Sequence, residues 1–394
     1  MHKNVMAIAV AGALAAPAAA MAQSTSTVQV YGNLYLEYSF INQGRAINGV
    51  DPAKADFLQT PGSGIGFKGE EKLGGNLSAW FQCESTADVR GVTSAGFCTR
   101  NSAVGLQGRF GNFFVGNWDT PFKRTVTAGN VGGRVTGIFG THFLLFDNST
   151  TVTDGASPGV FSRRQRNSIN YDSPRFGGFQ ALGAFSTTNS STATTSTSAG
   201  AKPRIWSVAG TYKLGGLDLA VAYERHTKAY PNVAQPGLAT FAGDEDGYHL
   251  SGSYTFGRVK FGGVYTQQEA DTAVATTAKV KAWHVGAEWK VAGPHNLHFG
   301  YTQADDVTGT VGGAAIGGGG TTSRPSVTAA GNTGAKLYQI RYLYEFSKRT
   351  TGTIGYVNLK NDSAAAYDLG GLGSAATASG AKQSAVALSV QHRF

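Results

Sequence analysis

Charge, sulfur and long apolar runs are all scarce in this 394-residue chain. Only 14% of its residues are charged, two are cysteine and three methionine, and beyond residue 22 no run of 18 apolar residues occurs. The last absence excludes a spanning helix, which needs about 20 such residues. Eight histidines without an H-x-x-x-H spacing and two cysteines without C-x-x-C remove the common zinc arrangements. The net charge of +9 comes from scattered Lys and Arg with no nucleic-acid-binding motif beside them, so nucleic acid is not an expected partner. "GIGFKG" (64–69) matches G-x-G-x-x-G, but the turn-like "EEKLGGN" follows it where a dinucleotide site requires a helix. The glycine run 317–320 lacks the Lys-Ser/Thr of a phosphate loop. No cofactor is expected. An enzyme would need a nucleophile with its base or a pair of activated carboxylates. The chain offers only Asp244, Glu245 and Asp246 with His249 nearby, and catalysis is not expected either.

What is abundant points to strands. There are 55 glycines, 16 tyrosines and 22 phenylalanines, which with many Thr and Ser favour strands and turns over helices. Residues 1–22 carry Lys3, an apolar stretch from Val5 to Ala16, and a small-residue close at Ala20-Met21-Ala22. That is the pattern of a cleaved export signal, leaving 23–394 as the working domain. Cys83 and Cys98 lie fifteen apart, and an oxidising compartment would join them, contributing about 3 kcal/mol by loop entropy.

Sixteen strand-like runs can be counted after the leader. In the first, Val28, Val30, Leu34, Leu36, Tyr38 and Phe40 alternate with Gln29, Tyr31, Asn33, Tyr35, Glu37 and Ser39; Tyr338, Ile340, Tyr342, Tyr344 and Phe346 form another apolar row. A period of two gives each strand one apolar and one polar face. Short turns such as "KLGG" (213–216) alternate with long polar connections at 42–60, 85–97, 119–162, 187–202, 228–244, 270–278, 305–334 and 362–380. An even count with strict alternation predicts an all-β, 16-stranded antiparallel transmembrane barrel, its short turns at one end and its long loops at the other. A sandwich would need two separate cores for so many strands. Aromatics near strand ends, among them Phe40, Trp118, Tyr171, Trp289 and Phe394, suit interfacial girdles.

Five stretches, "EKLGGNLSAWFQCE" (71–84), "RNSAVGLQGRFGNFFVGNWDTP" (100–121), "RQRNSINYDSPRFGGF" (164–179), "YEFSKRT" (344–350) and the final "HRF", resemble the general trimeric porins of beta-proteobacterial outer membranes. The resemblance implies short periplasmic turns, long extracellular loops, a homotrimer among outer-membrane lipid and lipopolysaccharide, and a water-filled channel for ions and small hydrophilic solutes with a mild anion preference. A substrate-selective channel is the alternative of the same architecture, and a barrel enzyme a more distant one. The resemblance also implies that loop 119–162 folds inward to narrow the channel, turned at Pro121, and that the aromatic Phe394 on the last strand is a signal for the outer-membrane assembly machinery. Carried over by position, Arg100, Arg164 and Lys68 are wall cations and Glu84 a wall carboxylate of the constriction. Asp119, Arg124 and Arg134, together with Lys123, Asp147 and Asp154, are the loop's charges. Gly64 stands where related anion-selective porins often carry another arginine, which implies a thinner basic cluster. His249, His284 and His298, single within strands, imply lumen or interface positions.

Overall fold

The computed structural model describes residues 27–44, 54–92, 96–146, 161–186, 204–227, 244–273, 276–309, 331–369 and 379–394. The sheet contains β1 (Thr27–Asn42), β2 (Ala55–Gln59), β3 (Gly64–Gly74), β4 (Leu77–Thr86), β5 (Ser102–Gly108), β6 (Gly111–Asp119), β7 (Arg164–Asp172), β8 (Phe179–Ser186) and β9 (Arg204–Leu214). It continues with β10 (Leu217–Thr227), β11 (Glu245–Phe256), β12 (Val259–Ala273), β13 (Thr276–Ala292), β14 (His295–Ala304), β15 (Thr308–Gly309), β16 (Ala335–Glu345), β17 (Thr350–Asn361) and β18 (Lys382–Arg393). β2 and β15 are short flaps, and the other sixteen form the wall. Each strand pairs antiparallel with its neighbours, and β1 pairs β18, so the sheet closes on itself. Closure removes the free edges that would otherwise present unpaired backbone to lipid. Among the described residues no helix is long and apolar enough to cross a membrane.

The expected faces are the observed ones. Val28, Val30, Leu36, Tyr38 and Phe40 point outward and stay exposed, while Tyr35, Glu37, Ser39 and Ile41 are buried inside. Tyr338 and Ile340 of β16, with Phe346 just after it, repeat the outward row on the strand reached from β1 through β18 and β17. Turns of the β3–β4 type explain the tight end: Gly75 and Asn76 hold φ of 58° and 66°, the positive pair a two-residue hairpin requires. One expected loop shrinks. β12 and β13 extend through most of 270–278, because its Thr and Ala residues continue the ladder.

Cys83 and Cys98 are joined, their Cα atoms 4.8 Å apart, tying the β4–β5 loop to the wall. Trp118, expected in a girdle, turns the other way. It packs edge-on against Trp80 at 5.8 Å and Phe114 at 5.1 Å on the inner face of β4–β6, where Trp80 donates to Asn112 at 2.7 Å. Trp118 shares the face of Phe114, four residues before it, and a register shift in the β6–β7 pairing lies between Gly116 and Trp118.

Candidate functional site

The long connection after β6 leaves the wall because of its first residues. Asp119 ends the strand, Thr120 caps the next turn through its hydroxyl, and Pro121, which cannot donate to a ladder, opens the short helix α1 (Pro121–Thr125). From there the loop runs across the barrel interior, reaching one strand after another. Phe122 N donates to Ser207 Oγ at 3.1 Å, Ser251 Oγ to Thr125 O at 3.1 Å, and His284 lies 2.8 Å from Val131 O through Nε2. Arg341 donates to Gly132 O at 2.8 Å, and Ile138 N to Glu37 Oε1 at 3.0 Å. Glu37 is itself held by Tyr35 Oη at 2.6 Å and Gln59 Nε2 at 2.7 Å. Loop contacts therefore extend from β9 round to β1.

Between these polar fastenings lies an apolar filling. Phe122, Ile138, Phe139, Phe146 and Phe161 are fully buried, as are Leu144 and Leu145 of the second short helix, α2 (His142–Leu145). They pack against small wall residues such as Ala209, Ala222, Ala282 and Ala304. A row of Ala on the inner wall leaves room for large loop side chains, and burial of each contributes about 2 kcal/mol. Tyr367 and Leu369, beyond β17, join the same core.

The open passage lies on the opposite side. A cavity of about 470 Å³ is lined by Arg100, Asp119, Arg164 and Arg393 from the wall, and by Lys123 and Arg134 from the loop. Asp119 organises one bank: Lys123 Nζ lies 3.0 Å and Arg164 Nε 3.4 Å from its Oδ1, and Asn101 donates to its Oδ2 at 3.0 Å. Arg100 pairs with Glu84, which accepts from Tyr31 Oη at 3.1 Å. Across the passage the Arg134 guanidinium sits 3.8 Å from the centre of the Tyr35 ring. Among the described residues no ion pair to Arg134 is formed. Five cations thus face Asp119, and counting Glu84 behind Arg100 leaves a surplus of three positive charges.

Of the residues expected at a constriction, the structure brings together Arg100, Arg164, Glu84, Asp119 and Arg134. It does not bring Lys68 or Arg124 to this cavity. Lys68 faces the lumen over the Tyr31 ring, 5.3 Å from its centre, and Arg124 binds Asp172 at 3.0 Å. Asp147 and Asp154 lie outside the described residues. Arg100 follows no strand parity because β5 begins at Ser102; its backbone N donates to Glu84 O instead. Gly64 proves complementary to it, since a side chain there would meet Arg100 Nε at 3.0 Å. Arg393, Glu37 and Arg341 are charged residues on the polar faces of their strands that the sequence does not assign to the site. His249 and His284 do face inward, where they hold the loop.

Burial holds the His142 imidazole of α2 down to about 3, against the ordinary 6.5, and the Lys123 ammonium adds to the effect. A depressed histidine means that the unpacked loop takes up the proton first. Packing is at full strength above pH 6.5 and weakens as the pH falls, by about 2 kcal/mol at pH 5. Current noise through single channels should therefore rise from pH 7 to pH 5 in the native protein and rise less in His142→Gln, where the buried His249 and His284 still hold the loop. Equal noise at both pH values in the native channel would count against this role.

A family model described as Gram-negative porin matches residues 7–364. Outer membrane porin protein 32 of Delftia acidovorans is 27% identical over the full length of both chains. The major outer membrane protein P.IB of Neisseria gonorrhoeae is 34% identical over 182 residues, 45% of this chain and 46% of that one. Among solved structures, the anion-selective porin from Comamonas acidovorans superposes with a TM-score of 0.71 at 22% identity, covering 94% of this chain and all of that one. The trimer form of OmpT from Vibrio cholerae gives 0.64 at 15%, covering 94% and 99%. At such identities the structural likeness speaks for the fold. With a closed sixteen-stranded barrel, a loop folded into its lumen and a polar passage beside that loop, the chain belongs to the Gram-negative porin family of outer-membrane channels.

Proposed function

We propose that this outer-membrane porin passes small hydrophilic anions in preference to cations, and that Arg100, Lys123, Arg134, Arg164 and Arg393 set the preference. The observation that carries the reading is the composition of the passage: five cations and Asp119 line it, with Glu84 behind. In a narrow polar channel bounded by low-dielectric walls, fixed charge of one sign concentrates mobile ions of the other. The name of the anion-selective porin from Comamonas acidovorans agrees in direction. Lys68 and Arg124 act in the vestibule below, and the channel performs no catalysis. Residues 1–22 are an export signal cleaved before 23–394 folds, and Phe394 serves the assembly machinery. The native assembly is a homotrimer embedded in lipid and lipopolysaccharide, in line with the trimeric neighbour.

The test is a planar bilayer holding the purified protein in a KCl gradient. Stepwise conductance with a reversal potential on the chloride side is expected. A potassium-side reversal would overturn the anion reading, and folded protein without conductance would overturn the open passage.

A further inference from the structure

The loop's polar fastenings explain how it is held, but its depth depends on residues with no side chain. At the level of Val131, Gly262 of β12 pairs with Gly286 of β13, which pairs with Gly300 of β14. Val264 and His284, two residues away on the same faces, are buried inside, so Gly262 and Gly286 present their missing side chains to the lumen. A Cβ on Gly286 would lie 1.8 Å from Val131 O, and one on Gly262 would lie 2.3 Å from Val131 Cγ2. The loop returns the approach: a Cβ on Gly132 would lie 2.0 Å from Phe299 O of the wall, and one on Gly129 1.9 Å from Gly263 O. Backbone thus rests on backbone, with His284 bonded to the Val131 carbonyl at the point of contact.

We infer that Gly262 and Gly286 are the positioning residues that set how deeply the constriction loop seats in the wall, and so determine the size limit of the passage on the loop's opposite face. This rests on the reading of that passage as the conducting route. Ordinary contact needs about 3.5 Å between carbon and its neighbours, so a methyl group on Gly286 must drive the loop 1 to 2 Å, roughly, toward the passage. Loop side chains such as Lys123 and Arg134 line that face. No other group has to change for the bore to narrow.

The two glycines meet different parts of Val131, which gives the test its control. Gly262 meets chiefly the side chain, with the Gly129 carbonyl oxygen behind it at 2.9 Å, and Gly286 meets the carbonyl oxygen at 1.8 Å. Single-channel conductance in KCl and liposome swelling with a mono-, di- and trisaccharide series would be measured for the native protein, Gly286→Ala, Gly262→Ala, and Gly262→Ala and Gly286→Ala each combined with Val131→Gly. Roughly a twofold fall in conductance and a lower sugar cutoff are expected for both single variants. Val131→Gly should restore most of the loss in Gly262→Ala, for which only the 2.9 Å approach to the Gly129 carbonyl remains, and leave Gly286→Ala impaired. If a single variant does not assemble, recovery of folded barrel by Val131→Gly for Gly262→Ala alone supports the seat in the same way. Native conductance and cutoff in both alanine variants would overturn the seat while leaving the channel intact. A native protein that fails to conduct would instead bring down the passage on which it rests.

Discussion

Replacing Arg134 and Arg164 together with alanine should lower the chloride-to-potassium permeability ratio about threefold at 0.1 M salt, and by less at 1 M. The two residues both line the passage, one from the loop and one from the wall, and their removal takes the surplus from three positive charges to one. Arg134 carries most of the expectation. Its guanidinium lies on the Tyr35 ring with no carboxylate paired to it among the described residues, so its field falls on passing ions. Arg164 shares Asp119 with Lys123, and losing it leaves that carboxylate less compensated. Reversal potentials measured at both salt concentrations would decide. A ratio unchanged at 0.1 M would mean that selectivity is set elsewhere in the barrel.

Arg163→Ala is expected to have the largest effect on stability. The returning end of the loop carries Arg163, which donates to Gln165 Oε1 at 2.7 Å and lies in the field of Glu224 and Glu245; Arg163, Glu224 and His226 are fully buried and Glu245 nearly so. His226 lies 2.9 Å from Glu224 through Nε2 and 3.1 Å from Glu245 through Nδ1. Phe161 stacks on its ring at 4.5 Å, over the bare backbone of Gly247. Removing the arginine leaves two carboxylates inside the barrel with a cation missing, a change that costs about 3–5 kcal/mol. The loop's second root should come away from β10 and β11, visible as protease cleavage near residue 161 and as unstable current steps. Arg163→Met with Glu224→Gln, which removes charge of both signs, should recover much of the loss. Cleavage and melting indistinguishable from the native protein in Arg163→Ala would dismiss the clamp.

Most of the wall was legible because two local signals agree there: a period of two along β1 or β16, and Gly or Asn with positive φ between strands. β2 escaped notice because five residues inside a polar connection carry too little periodicity, and it exists through its pairing with β1. Within the passage, Arg164 follows only from the family resemblance and Asp119 reads as a loop charge, whereas both stand at strand ends, Asp119 closing β6 and Arg164 opening β7. Arg134 could be read only as a charge on a long loop, since its place over Tyr35 depends on contacts with distant strands. Arg393 reads from alternation as a residue of the polar face of the last strand, but nothing local says that it reaches the passage. Gly262 and Gly286 show the deeper limit: in sequence they look like weak points of strands, and their use is apparent only when the loop lies on them. Trp118 misled because a place near a strand end does not say which face is presented: four residues after the buried Phe114, it shares that inward face.

The pairing of β1 with β18 also bears on the order in which the molecule can be made. Each hairpin of the wall joins strands close in sequence, but Leu36 meets Val390 and Phe40 meets Val386, partners separated by nearly the whole chain. Gly32 and Phe394 complete that seam by exchanging two backbone hydrogen bonds, at 3.0 Å and 3.1 Å. Contacts of such sequence separation pay their entropy before they return anything, so this seam should be the slow step of folding. Until it forms, β1 and β18 each have an open edge, and the intermediate is a curled sheet whose two free sides are each other's proper partners and also the strands most exposed to the wrong ones.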